Sequence, residues 1–202
     1  EPEDLHMCGC GASCGCGSGC GCADATVIGQ PDAPGLEGFA AQDVLLKSRV
    51  SLPEFGTFDN GNDCWGYTSP SGREYAIMGL SHGAAFVEIT DPANPQVLNI
   101  IPHPGSLWAD IKVHGAFAYV VKESGGGLQV VDMTQIDNGL VTLVNTVTLN
   151  GVLDTAHNLA VDNASARLYL CGADGPTSGL VIFSVANPAT PQYLGSYSGV
   201  YV

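Results

Sequence analysis

The sequence predicts an all-β protein of about three four-stranded propeller blades, a partial β-propeller, behind a Cys/Gly-rich N-terminal tail. Three observations carry that expectation. From Asn60 onward, short apolar and β-branched runs of four to seven residues recur, each closed by Gly, Pro, Asn or Asp. Almost no window there has helical periodicity. The runs repeat at about 48 residues, the length that four short strands and their turns fill.

In chain order, residues 1–22 form the Cys/Gly-rich tail and 23–42 a Pro/Gly/Ala-rich linker, and the repeat region is 43–202. Asp43 to Val50 reads as a first strand or short helix. Units follow at about 60–106, 107–153 and 154–202. Asp91-Pro-Ala-Asn-Pro-Gln-Val-Leu98 recurs as Asn187-Pro-Ala-Thr-Pro-Gln-Tyr-Leu194. Between these copies, Gly127-Leu-Gln-Val-Val-Asp-Met-Thr134 matches Gly83 to Thr90 and Gly179 to Ala186, so the interval holds two units. Proline lacks the amide proton that a central strand must donate, so the Pro pairs belong in the turn before the outer strand. The middle unit lacks such a pair. Trp65 and Trp108 are expected at equivalent places as blade-packing residues.

Six of the eight cysteines, Cys8, Cys10, Cys14, Cys16, Cys20 and Cys22, fall in a six-residue period separated by glycine. Nothing apolar there can build a core, so covalent or metal bonds must supply any order. Three readings stay open: a disulfide knot linking pairs or chains, a thiolate cluster for Cu(I) or Zn(II), and a flexible anchoring tail. Cys64 and Cys171 lie in strand patterns, as buried thiols or as disulfide partners of the tail.

Twenty Asp and Glu against six Lys and Arg give a formal charge of −14. A phosphate backbone repels such a chain, which excludes nucleic acid as a partner. No run approaches the roughly 18 apolar residues of a spanning helix. The start, Glu1-Pro-Glu-Asp4, reads either as a plain boundary of the sequence or, given the cysteines, as a mature terminus left by removal of a signal peptide. Together with the cysteines, the second reading places the protein as secreted, extracellular or at the cell surface. The sequon at Asn163 fits that compartment as a glycosylation site.

Polar residues gather where each unit's inner strand starts: Asp63, Asp110, His157 and Asn158. Two readings compete. Carboxylate, imidazole and amide oxygen together suit a metal, Ca²⁺ for the oxygens or a transition metal for the imidazole. Otherwise these side chains bond the neighbouring blade's backbone. His82, His103 and His114 read as solvated loop histidines, and Gly125-Gly-Gly127 as a hairpin turn. No nucleophile elbow, P-loop, H-E-x-x-H or EF-hand loop occurs, so no catalytic residue is assigned.

The segments Gly61-Asn-Asp-Cys-Trp-Gly-Tyr67, Gly72-Arg-Glu-Tyr-Ala76, Ala85-Phe-Val-Glu-Ile-Thr-Asp-Pro92, Trp108-Ala-Asp-Ile-Lys-Val113, Gly127-Leu-Gln-Val-Val-Asp132, Ala156-His-Asn-Leu159 and Leu194-Gly-Ser-Tyr197 resemble the choice-of-anchor B family, whose repeats are called LVIVD. The resemblance covers about residues 40–202. It implies a secreted or cell-surface β-propeller held by terminal sorting segments, with no catalytic activity to carry over. Cys64 before Trp65 and the Cys/Gly array depart from the family. Three blades do not close a ring, so the chain reads as part of a larger ring or as completed by a neighbour.

The expected function is therefore a structural or interaction module with protein partners or self-assembly, disulfide-linked or polymeric. The alternatives are a metal-dependent enzyme at the propeller channel and metal handling by the thiolate tail.

Overall fold

A computed structural model describes residues 44–199. The tail, its six cysteines and the 23–42 linker lie outside the described residues. Residues 44–46 belong to a different unit from Lys47 onward and have no regular structure. Of the strand or short helix expected from Asp43 to Val50, no regular element is formed over the described residues 44–50. The first element is instead a single helical turn, α1 (Leu52–Phe55), started by a capping box in which Ser51 N and Oγ both donate to Glu54 Oε2.

Among the described residues twelve strands follow, in three antiparallel sheets. The first sheet holds β1 (Gly61–Thr68), β2 (Glu74–Leu80), β3 (Gly83–Glu88) and β4 (Gln96–Pro102). The second holds β5 (Ala109–His114), β6 (Phe117–Lys122), β7 (Leu128–Gln135) and β8 (Leu140–Val147). The third holds β9 (Asn158–Asp162), β10 (Arg167–Ala173), β11 (Gly179–Ser184) and β12 (Gln192–Tyr197). In every sheet the strands are hydrogen-bonded in chain order. Each sequence repeat is thus one four-stranded meander, consistent with a propeller blade.

The register aligns the three units residue by residue. Cys64, Ile111 and Leu159 are counterparts, because they lie opposite Met78, Val120 and Leu170. Those three in turn face Ala85, Gln129 and Val181. By the same alignment the counterpart of Trp65 is Lys112, while Trp108 precedes β5, so the expected equivalence of the two tryptophans does not hold. Both rings are substantially exposed, at 42% and 54%, and neither belongs to the buried apolar cores between the sheets.

The period of two along each strand puts alternate side chains on opposite faces, and both faces of the middle sheet are buried. Ala118, Val120 and Val131 pack with Ile77, Ala84 and Phe86 of the first unit. Tyr119, Val121, Leu128 and Val130 pack with Leu159, Leu168, Leu170 and Phe183 of the third. Each large apolar side chain so buried contributes about 1.5–3 kcal/mol. Strand β5 lies between β1 and β9, so the inner strands of the three sheets adjoin.

The Pro-rich turns sit where expected, before β4 and β12. The middle unit replaces them with a 3-10 turn, Ile136–Asn138, ended by Gly139 in the left-handed region. Asp137 there accepts from the Tyr75 hydroxyl of the first unit at 2.7 Å. Arg73 donates from Nη1 to the Asp137 carbonyl and makes a forked ion pair with Glu88. The missing Pro pair therefore marks a different anchoring device at that joint.

Candidate functional site

An open cleft of about 430 Å³ lies where the inner strands begin, lined by Asn62, Asp63, Trp108, Ala109, Asp110, His157 and Asn158. All four residues expected there, Asp63, Asp110, His157 and Asn158, are brought to it. Asp63 and Asp110 bond as the second of the two readings expects, while His157 and Asn158 do not bond a neighbouring unit's backbone through their side chains. Asp63 Oδ2 accepts the backbone N–H of Ile111 at 2.9 Å, and Asp110 Oδ2 accepts that of Leu159 at 2.6 Å. Each carboxylate reaches one unit onward to the same position, so the two contacts are copies of one clasp.

Lys112 places one positive charge beside the two carboxylates. Its Nζ lies 2.5 Å from Asp110 Oδ1 and 3.5 Å from Asp63 Oδ2, and it donates to the Ile111 carbonyl at 2.9 Å. It also stands 4.5 Å from the centroid of the Trp65 ring, where the negative face of the ring attracts a cation. Burial pushes the Asp110 carboxyl above its ordinary value, and the adjacent Asp63 adds to that. Burial acts upward on Asp63 as well, but hydrogen bonding with Asp110, the Ile111 N–H and Lys112 hold it below its ordinary value. On acidification Asp110 is the first of the two to take up a proton.

This arrangement leaves little for a metal ion. One oxygen of each carboxylate is held by a backbone N–H, and the Lys112 ammonium offsets one of the two negative charges. Among the described residues no group of three His, Cys, Asp or Glu is placed to hold a metal. His157 is largely exposed and pairs through Nδ1 with Glu123. The Asn158 side chain has no hydrogen-bond partner among the described residues.

Cys64 is an exposed thiol and Cys171 a half-buried one. Burial, with Asp110 nearby, raises the Cys171 pKa. Any bond of either to the tail falls outside the described residues. Asn163 is exposed in the β9–β10 turn, and its Oδ1 meets His114 Nδ1 at 2.6 Å.

Sequence reasoning missed Lys112 and Glu123. Asp110 and Lys112 are two apart in one strand and so share a face, a signal that was available. Glu123 had none, since its partner His157 lies 34 residues away. His103, expected to be a solvated loop histidine, is buried with 8% exposure, its backbone N–H donating to the His82 carbonyl and its Nδ1 to the Pro104 carbonyl.

No helix of the described residues is long and apolar enough to cross a membrane. No curated protein matches the chain. Residues 108–135, which run from Trp108 through β5, β6 and β7 of the middle unit, match the LVIVD repeat family.

Proposed function

We propose that the chain is an extracellular or cell-surface β-propeller module of the choice-of-anchor B kind, acting as a structural or interaction protein in a self-associated or disulfide-linked assembly. One observation carries this reading. The forward face of the third unit repeats the set that the second unit buries against its neighbour. Asn158, Tyr169, Cys171, Leu180 and Ile182 are the counterparts of Asp110, Tyr119, Val121, Leu128 and Val130 by register. In the second unit that set includes Tyr119 Oη donating to the Pro188 carbonyl at 2.9 Å and three fully buried aliphatic side chains. In the third unit Tyr169, Cys171, Leu180 and Ile182 are only half-buried, a contiguous apolar face of the type that pairs with protein. By contrast, the acidic residues of the inner strands are committed to holding sheets together.

Sedimentation velocity of the full chain over a wide concentration range, with and without reductant, tests the proposal. Association that weakens in Ile182→Asp, or dissociates on reduction, is the expected result. A monomer under every condition, together with a substrate turnover lost in the Asp110→Ala/His157→Ala double variant, overturns it in favour of an enzyme. Fractionation of producing cells, with the protein found only inside them, removes the extracellular assignment.

A further inference from the structure

Lys122 is completely buried, yet its ammonium, which carries three protons to donate, makes one hydrogen bond, to the Gly127 carbonyl at 3.3 Å. No carboxylate among the described residues lies within ion-pair distance of it. Burial pulls its pKa down to about 8, with the more distant Asp154 acting weakly in the other direction.

Two orphaned acceptors belong to the same joint. Gln129 Nε2 donates to the Pro102 carbonyl at 3.0 Å, which fixes the amide so that Oε1 points elsewhere. That Oε1 is buried and has no partner among the described residues. His103, next to Pro102, donates from Nδ1 to the Pro104 carbonyl at 2.7 Å. Burial keeps the ring neutral, so Nε2 carries a lone pair, and it too is buried without a partner.

Topology draws the three groups together. Lys122 is two residues beyond Val120 in β6, and Gln129 lies opposite Val120 in β7, so all three share the face that packs on the first unit. Gln129 is bonded to Pro102 at the end of β4, and His103 follows directly. Gly126 lies between the two walls. A Cβ on it would stand 3.0 Å from Pro104 Cγ and 3.4 Å from Lys122 Cε.

We propose that this joint between the first and second units binds one ordered water molecule, held by Lys122 Nζ, Gln129 Oε1 and His103 Nε2. The chemistry selects the ligand. It must accept one proton from an ammonium and donate two to neutral acceptors. An anion has no protons for Gln129 and His103, and a metal cation is repelled by Lys122. Water satisfies all three at once, with the three hydrogen bonds usual for buried water. The site stands apart from the forward face of the third unit and does not depend on the proposed function.

A crystal structure of the full chain at a resolution that shows ordered solvent is the direct test. One peak within hydrogen-bonding distance of all three atoms is expected. No peak, or Lys122 Nζ bonded directly to Gln129 Oε1, overturns the proposal. In solution, oxygen-17 relaxation dispersion should count one fewer long-lived internal water in Lys122→Met than in the parent chain, and likewise in Gln129→Met. The two variants remove opposite ends of the site, so either one that folds suffices. An unchanged count in a folded variant refutes the assignment.

Discussion

Asp110 reaches across the gap between the second and third units to accept the backbone N–H of Leu159, a residue buried on the far side of that gap. The same carboxylate holds Lys112. Removing it strands a buried N–H and a mostly buried ammonium together. Asp110→Ala should cost about 3 kcal/mol, read from urea unfolding midpoints at constant slope. Asp110→Asn keeps an acceptor oxygen and should cost clearly less. Asp63→Ala, at the more exposed copy of the clasp, should fall between no effect and the Asp110→Ala value.

Lys122 gives the stability a pH dependence of definite sign. Its folded pKa, about 8, lies below its ordinary 10.5, so between those values the unfolded chain binds the extra proton and stability rises with pH. The penalty is fully present below about 8 and relieved as the pH approaches 10.5. Lys122→Met should therefore raise the melting temperature at pH 7, and that advantage should shrink when both proteins are melted at successively higher pH up to 10. An advantage that grows with pH would reverse the sign.

Gly127 holds a backbone of φ +64°, and a Cβ there would approach the Val147 carbonyl oxygen to 2.6 Å. Strand backbone cannot retreat as a flexible side chain can. Gly127→Ala should destabilise by about 2 kcal/mol, whereas Gly139→Ala, also at positive φ but with open space around it, should show only the smaller conformational cost. Comparing the two by thermal unfolding separates crowding from backbone preference.

Phe86 and Phe183 are fully buried, one in each inter-sheet core. Truncation of either to alanine should cost about 3–5 kcal/mol. If the three sheets unfold together, fluorescence and far-ultraviolet circular dichroism will give coincident transitions for both variants. Separated transitions for Phe183→Ala alone would mean that the third sheet opens independently.

Much of this architecture was legible in the chain. The strands were marked by β-branched runs and Gly/Pro punctuation, and the 48-residue period fixed how many sheets there are. The cleft was legible as well, because Asp63, Asp110 and Asn158 start equivalent strands and equivalent strand starts must converge. Register was not. Trp65 and Trp108 resemble each other by type, but pairing opposite Ile77 and Tyr119 makes Lys112 the true counterpart of Trp65. The bonding of Tyr75 to Asp137, like that of Gln129 to Pro102, joins residues in different units. No local pattern encodes such contacts, since they depend on how far one sheet is set against the next.

The clasp from each of the first two units grips main chain, and main chain is the same whatever side chain it bears. Ile111 and Leu159 share a place in the repeat, and each receives the preceding unit's carboxylate through the peptide N–H alone. The clasp itself reads no side chain at the position it grips, unlike the apolar packing on either side of it. Successive units are then free to differ at that one position while still stacking in order.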